Sequence, residues 1–362
     1  MECKIVYVGK SRNGKPKFWC TEHHAPVLQE DGKPDNICKF IKVVGNQDRE
    51  STLFTIDPQD YPGGIALWGA IPAVYDTTEF PLDFGIHVHA RKEVGGKKVY
   101  DKTFARVAVN SPNGSVEFDS IAAVSYVFAN ILNLPLDYVE CNKCGFPHLD
   151  KDWFSVNAHK KHLCAGCGRE FYDTKSSVGN PIIKAKKLFG DEEVHRQVVS
   201  PNRTLEIKQC DFPYGISIWG SNTALLWTSP KTEEYGIHVH AYATDSREPT
   251  IDETYDKVII DGIELSVEQV RLYMVQQSLP FLEKRIEALR CPTCKEMLFE
   301  TGEDGCRLQT KHICRKCNEV IHSRRRVVSN PIEETLKQLE AYAVNPRKNI
   351  DLLKEYPTLE GW

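Results

Sequence analysis

The chain has 362 residues, of which 41% are hydrophobic and 27% are charged, and its formal net charge is −4. These totals are typical of a folded globular protein, and the weakly negative charge excludes a global field that would attract nucleic acid, so such binding would need a local basic patch. The longest apolar stretch, residues 63–74, is too short to cross a bilayer. The first residues also lack a basic region followed by an apolar core, so the expectation is a cytoplasmic protein without membrane contact.

Residues 1–40 have no counterpart later in the chain and are predicted to form an N-terminal addition. Two alternating runs flank the turn Ser-Arg-Asn-Gly-Lys and predict a β-hairpin. This hairpin would bring several thiols and an imidazole near one another. One interpretation is a third zinc site formed by Cys3, Cys20, His23 and Cys38. The alternative is that the three cysteines are buried free thiols.

From residue 41 onward the sequence repeats itself. The block Gly-Ile-His-Val-His-Ala occurs unchanged at 85–90 and 236–241, and further blocks match in the same order before and after it. These matches predict an internal tandem duplication, whose period is too long for a solenoid. The first repeat unit is assigned to 41–190 and the second to 191–332, followed by a C-terminal helix and tail at 333–362.

Within each unit the predicted elements follow the same order. Short apolar runs bounded by Gly and Pro predict a β region, and a helix follows at about 119–132 in the first unit. In the second unit Ser266 begins a capping-box pattern ahead of the matching helix. Asn180 and Asn330 each precede a proline and are predicted to cap a helix after the zinc module. The predicted fold class is therefore α+β, each unit being a short-stranded β region plus a helix, followed by a cysteine module.

Eight of the thirteen cysteines form Cys-x-x-Cys pairs, which favours metal ligation over disulfides in a chain without an export signal. Each unit holds four, and the predicted zinc ligands are Cys141, Cys144, Cys164, Cys167, Cys291, Cys294, Cys314 and Cys317. This spacing resembles the zinc-ribbon class of four-cysteine modules over roughly 30 residues per unit. The resemblance implies two structural zinc ions, with a third or more if other sites also bind metal. Such ions act as staples because their binding energy is also folding energy.

The repeated Gly-Ile-His-Val-His-Ala block places two imidazoles on one face of a strand, because side chains two positions apart share a face. Two such imidazoles can bind one metal ion together with a carboxylate from a neighbouring strand. A Tyr-Asp-Lys block follows in both units and suggests that carboxylate. The candidate catalytic or metal-binding residues are thus His87, His89, Asp101, His238, His240 and Asp256. The alternative is that the paired histidines form only structural hydrogen bonds, for example between the two halves.

Basic clusters lie near both cysteine modules, at His159-Lys-Lys-His162 and at Arg324-Arg-Arg326. Such patches can bind phosphate, although solvated charge is their commoner meaning. Because four thiolates already complete each zinc site, His148, His159 and His162 are expected to have surface or supporting roles rather than to bind a second metal ion.

Two functional hypotheses follow. The first is a duplicated zinc-binding scaffold that binds nucleic acid or a protein partner, and it is favoured because no complete catalytic signature is present. The second is a metal-dependent hydrolase or phosphoryl-directed enzyme that uses the paired His-x-His strands. The sequence indicates no particular small-molecule substrate for that enzyme.

Overall fold

The computed structural model describes most of the chain, and every structural statement below refers to these residues. They are 5–10, 16–20, 25–30, 33–38, 53–78, 85–112, 114–189, 198–229, 233–246, 248–279 and 285–343. The fold is α+β, as predicted, with several small sheets and four helices in this described part. No helix among the described residues is long and apolar enough to cross a membrane.

The N-terminal segment forms an antiparallel sheet of four strands in the order β1-β2-β3-β4. Its strands are β1 Ile5–Lys10, β2 Pro16–Cys20, β3 Ala25–Glu30 and β4 Lys33–Cys38. The predicted hairpin is present, since Ile5 pairs with Cys20. The suggested third zinc site cannot be assessed in the same way: Cys3 and His23, and the side chains of Cys20 and Cys38, lie outside the described residues. That site stays a prediction.

The first unit contains ten strands and two helices in its described part. The strands are β5 Leu53–Ile56, β6 Gly64–Gly69, β7 Tyr75–Asp76, β8 Ile86–Arg91, β9 Lys98–Phe104, β10 Arg106–Ser111, β11 Gly114–Asp119, β12 Leu136–Asp137, β13 His159–Leu163 and β14 Glu170–Gly179. The helices are α1 Ser120–Ile131 and α2 Ile182–Leu188. Short 3₁₀ turns occupy Pro58–Asp60 and Asp152–Val156.

The second unit follows a similar order. Its described strands are β15 Val198–Val199, β16 Thr204–Ile207, β17 Ile216–Gly220, β18 Leu226–Trp227, β19 Glu233–Glu234, β20 Ile237–Ala241, β21 Ile251–Tyr255, β22 Lys257–Ile260, β23 Ile263–Leu265, β24 Ile286–Glu287, β25 Gln309–Ile313 and β26 Val320–Ser329. The helices are α3 Val267–Ser278 and α4 Ile332–Tyr342, and 3₁₀ turns lie at Gln209–Asp211 and Asp304–Cys306.

The two units exchange a short strand with each other. The central sheets have the orders β18-β6-β8-β9 and β21-β20-β17-β7, so β18 of the second unit extends the first sheet and β7 of the first unit extends the second. Leu226 pairs with Leu67, and Tyr75 pairs with Ile218. Leu225 and Leu226 are fully buried in the core of the first unit, while Tyr75 is buried in the core of the second. Each core is thus completed by the other half of the chain.

Helix capping agrees with the predictions at Asn180 and Asn330, departs from the prediction at Ser266, and also involves Asp119, for which no cap was predicted. The Asp119 carboxylate accepts hydrogen bonds from the N–H groups of Ile121 and Ala122 at the start of α1. The Asn180 and Asn330 side-chain oxygens accept from the N–H two residues later, at the starts of α2 and α4. Ser266 precedes α3, but its side chain makes no capping hydrogen bond, so the predicted capping box is wrong.

Candidate metal centres

The eight predicted zinc ligands come together as two separate four-cysteine clusters, and none of these cysteines forms a disulfide. In the first cluster, the sulfur of Cys141 lies 3.8 Å from that of Cys167, and the sulfurs of Cys144 and Cys164 are 3.6 Å apart. The corresponding distances in the second cluster are 3.6 and 3.5 Å. Four sulfurs bound tetrahedrally at 2.3 Å from zinc would be separated by about 3.8 Å. Both clusters therefore fit a zinc ion.

The backbone of each Cys-x-x-Cys turn explains how the thiolates converge. The residue after each second cysteine adopts a left-handed conformation with φ between 60° and 69°, at Gly145, Gly168, Lys295 and Asn318. Glycine serves this purpose in the first unit, whereas the second unit uses lysine and asparagine.

The four thiols of a cluster differ in acidity. Backbone N–H groups of Cys294 and Thr293 lower the pKa of Cys291 to about 7 against the effect of burial. The N–H of Glu319 acts to lower the pKa of Cys317, but burial and the neighbouring cysteines raise it to about 12. A bound cation would favour the thiolate form of all four.

The first His-x-His strand builds a second kind of cluster on β8 and β9. His89 is paired with Asp101, and His87 with Thr103. The His87 and His89 Nε2 atoms are 2.9 Å apart, and they lie 3.0 and 3.1 Å from the Asp101 Oδ1 atom. The His87 Nδ1 atom is 3.1 Å from the Thr103 hydroxyl oxygen. The predicted set His87, His89 and Asp101 is thus brought together.

The second His-x-His strand builds a matching cluster on β20 and β21, but with a different aspartate from the one predicted. The His238 and His240 Nε2 atoms are 2.9 Å apart, and each lies 3.3 Å from the Asp252 Oδ1 atom. The His238 Nδ1 atom is 3.1 Å from the Thr254 hydroxyl oxygen, as in the first cluster. We call these the His87–His89–Asp101 and His238–His240–Asp252 triads.

The prediction of Asp256 as a ligand is therefore wrong. Asp252 faces His240 in the strand register, whereas Asp256 follows the end of β21, where its backbone N–H donates to the Arg203 carbonyl oxygen. The Tyr-Asp-Lys blocks that suggested Asp256 match only if the alignment of the two units is shifted between the histidines and the aspartate. The offset of 151 that relates His89 to His240 also relates Asp101 to Asp252. An unbroken offset through the hairpin is the sequence signal that points to Asp252 rather than Asp256.

Lys98 joins the two triads, a contact that no pattern in the sequence had predicted. Its ammonium lies 2.5 Å from the Asp101 Oδ2 atom and forms a second, shorter contact with the Asp252 Oδ2 atom. Proline occupies the matching position 249, so the second unit has no equivalent lysine. The pair of triads consequently forms one composite centre in which the Lys98 ammonium lies between the two carboxylates.

The triads are accessible to solvent without being fully exposed. The side chains of His87 and His89 are 29% and 14% exposed, and those of His238 and His240 are 29% and 21% exposed. The edges of Trp68 and Trp219 contact His89 and His240, with ring centroids 4.9 and 5.0 Å apart. These tryptophans are therefore walls of the triads and are only partly buried in the core.

Electrostatics favours the protonation states that metal ligands need. Burial lowers the pKa of His89 to about 3 and also lowers the pKa of His238. Burial acts to raise the pKa of Asp101 and Asp252, but the adjacent imidazoles and the Lys98 ammonium outweigh it and hold both pKa values well below their usual range. Neutral imidazole and ionised carboxylate are the forms that bind a metal ion.

The remaining candidates occupy three other places. His148, His159 and His162 surround Asp150 beside the first four-cysteine cluster. Arg324, Arg325 and Arg326 are exposed on β26. Cys210 and Cys306, which have no partner in the repeat, are free thiols, exposed and buried respectively.

The side-chain arrangement is the basis for assigning function to this chain. Two four-cysteine clusters and a composite centre of two triads are its main chemical features among the described residues. No protein-family model, curated protein or solved structure matches the chain.

Proposed function

We propose that the chain is a divalent-metal-dependent hydrolase that acts on phosphate esters at the composite centre of the two triads. The observation that carries this proposal is the distance set within each triad: two imidazole nitrogens and one carboxylate oxygen lie 2.9–3.3 Å from one another. Ligands on one face of an octahedral ion, bound at about 2.1 Å, are about 3 Å apart.

Hydrogen bonding alone accounts poorly for this geometry. In a neutral imidazole one ring nitrogen carries a proton and the other only a lone pair. If the His87 Nδ1–H donates to Thr103, its Nε2 lone pair faces both His89 and an ionised carboxylate. The same holds for His238 with Thr254 in the second triad. A cation at the centre of each triad satisfies all three atoms, and the Thr contact is the kind of support that metal-bound histidines use.

An open, accessible site favours catalysis over a purely structural role. Each triad supplies three protein ligands, and sites of that kind keep positions for water and substrate, whereas structural zinc sites are closed by four. A divalent ion bound there supplies a Lewis acid and a water of lowered pKa. Lys98 is placed to hold an anionic substrate oxygen between the two triads, because its ammonium already contacts both carboxylates.

In this proposal the four-cysteine modules stabilise the fold, and the two units descend from a duplication. Matching triads, matching Thr contacts and matching cysteine clusters support that origin. The reciprocal exchange of β7 and β18 supports a role for both halves in one centre, because it ties the two central sheets together.

A direct test is hydrolysis of a chromogenic phosphodiester by the purified chain, with manganese or zinc added. We expect activity that requires added divalent metal and falls by at least about 100-fold in a His87→Ala/His238→Ala double variant, because each triad loses a ligand. Lys257→Ala is the matched control, since Lys257 is an exposed lysine of the second unit that pairs with Glu264 away from the triads.

The proposal fails if the folded double variant hydrolyses the ester as fast as the parent. Far-ultraviolet circular dichroism and retention of zinc in the cysteine clusters establish that the variant is folded.

A second candidate function is nucleic-acid binding by the second cysteine module. Arg324, Arg325 and Arg326 are consecutive and exposed on β26, and exposed Lys311 lies on the paired strand β25. An exposed group of cations is the local patch that a chain of net charge −4 would need. Binding of a protein partner is the other form of this hypothesis.

For nucleic acid, the expected effect is on the salt dependence of the affinity. An Arg324→Ala/Arg325→Ala variant should reduce the slope of log affinity against log salt by about two, because each phosphate contact releases about one counterion. A Lys257→Ala/Lys337→Ala variant removes the same charge elsewhere and should leave the slope unchanged. Equal slopes for both variants, measured with a single-stranded and a double-stranded oligonucleotide, would exclude this patch.

A further inference from the structure

A buried cluster of histidines around one carboxylate lies in the first cysteine module, apart from its four cysteines. His148, Asp150 and His162 are 5%, 4% and 1% exposed. The Asp150 Oδ1 atom is 2.7 Å from the His148 Nε2 atom and 3.2 Å from the His159 Nε2 atom, and its Oδ2 atom is 3.4 Å from the His162 Nδ1 atom. Three imidazoles thus surround a carboxylate in the interior.

Several of these buried ring nitrogens have no hydrogen-bond partner. Both ring nitrogens of His162 and the Nδ1 atom of His148 lack one. A buried polar atom left unsatisfied costs about 1–3 kcal/mol, so native proteins rarely leave such atoms without a partner. Three such nitrogens in one place call for an explanation.

The contacts of His159 also indicate a bound cation. Its Nδ1 atom is 2.7 Å from the Asn157 carbonyl oxygen, which can only accept, so Nδ1 carries the proton. In the neutral ring, the Nε2 atom then presents a lone pair to the Asp150 carboxylate. A lone pair and an ionised carboxylate repel each other, so a cation between them is needed to stabilise this contact. A histidine whose Nδ1–H donates to a backbone carbonyl is also a common form of metal ligand.

The second unit packs the same region without two of these histidines, because Leu298 and Gln309 stand at the positions of His148 and His159. Glu300 occupies the position of Asp150, and each carboxylate accepts a backbone N–H, from Ser329 and Gly179 respectively, at 2.7 Å. The Glu300 Oε1 atom is 2.6 Å from both the His312 Nδ1 atom and the Gln309 Nε2 atom.

The histidine shared by the two units is fully partnered only in the second. The His312 Nε2 atom is 3.0 Å from the Ser323 hydroxyl oxygen. Position 173, which matches Ser323, is an aspartate whose carboxylate accepts from Thr174 instead. Both units therefore have the carboxylate and the backbone N–H that it accepts. Among the described residues, unpartnered histidine nitrogens of this kind occur only in the first unit.

We propose that this cluster binds a zinc ion, with His148, Asp150 and His162 as ligands and His159 as the fourth. Three imidazoles and one carboxylate are a donor set that zinc accepts, and a closed set of four protein ligands is typical of a structural ion. His148, Asp150 and His162 are buried, and His159 is half-buried at the edge of the cluster. The Oδ1 atom of Asp150 is the ligand oxygen, because Oδ2 accepts the Gly179 N–H. This ion stabilises the first module, and its presence does not depend on the hydrolase proposal.

The second unit supplies the test variant. A His148→Leu/His159→Gln variant introduces the residues found at 298 and 309, where the same framework is satisfied without those histidines. We expect zinc measured by plasma mass spectrometry to fall by one ion per chain, while phosphodiester hydrolysis is unchanged. His322→Gln, an exposed histidine of the second module, is the control and should keep every ion.

Cobalt substitution identifies which ion is lost. The variant should lose absorption from nitrogen- and oxygen-bound cobalt and keep the thiolate-to-cobalt charge-transfer band of the cysteine clusters. A single His159→Gln variant, a smaller change, is measured alongside and should weaken binding of the same ion. Equal zinc content in the parent and both variants would overturn the proposal.

Discussion

Replacing Asp252 by asparagine is expected to remove the metal ion from the second triad, whereas Asp256→Asn leaves it in place. The Asp252 carboxylate is the only anionic group within 3.3 Å of both His238 and His240 in the described structure, and an amide is a far weaker ligand. We expect metal affinity at this triad to fall by at least about 100-fold, more than the effect of losing an outer-shell partner. Asp256 serves as the matched control because it is the same residue type four positions away.

Isothermal titration of the metal-stripped chain with manganese measures this difference. Manganese is chosen because it prefers nitrogen and oxygen ligands, so the cysteine clusters contribute little to the signal. Asp101→Asn should weaken the first triad in the same way. If Asp252→Asn and Asp256→Asn bind manganese equally well, the register of β20 and β21 does not define a metal site.

Replacing two ligands of one cysteine cluster is expected to have the largest effect on stability. A Cys291→Ser/Cys314→Ser variant should release one zinc ion and unfold the second module, because binding of a structural zinc ion contributes roughly 10 kcal/mol or more to folding. Both thiols are almost fully buried, so the ion that they bind lies inside the module. Thermal unfolding and a colorimetric zinc assay measure the two effects.

Cys306→Ala provides the control for this experiment. Cys306 is also buried, in the same unit, but it is a free thiol outside the cluster. Removing its sulfur should cost about 1 kcal/mol through the small cavity that it leaves, with no loss of zinc. Zinc content that stays the same in the double serine variant would contradict the assignment of these cysteines as ligands.

Local sequence patterns predicted the parts of the centres that depend on neighbouring residues. The Cys-x-x-Cys spacing fixes two thiols in one turn, so both cysteine clusters could be assigned. Strand alternation put His87 and His89 on one face, where the structure places their Nε2 atoms 2.9 Å apart. Capping by Asn180 and Asn330 is likewise a local effect.

Features that depend on register or on the other half of the chain were missed. The identity of Asp252 follows from the pairing of β20 with β21, and a three-letter match was a poorer guide to it than the constant offset. Lys98 reaches Asp252 across 154 positions, and no local pattern predicts such a contact. The same is true of the exchange of β7 and β18, which depends on long-range pairing.

The histidines near the first cysteine module show a different limit. The sequence spacing predicted no metal-binding role for His148, His159 and His162, because four cysteines already complete the zinc site. Only the burial of His148 and His162 around Asp150, together with the satisfied arrangement at Glu300, distinguishes this group from surface residues.

We propose that the two triads bind metal ions, and anomalous diffraction would locate such ions at the triads themselves. Crystals of the full chain soaked in manganese should show one anomalous peak at each triad, about 2.1 Å from the two Nε2 atoms and the carboxylate oxygen. The zinc edge should locate separate peaks at the two cysteine clusters. Peaks at the cysteine clusters without any at His87–His89–Asp101 or His238–His240–Asp252 would contradict the claim and leave the paired histidines as structural hydrogen-bonding groups.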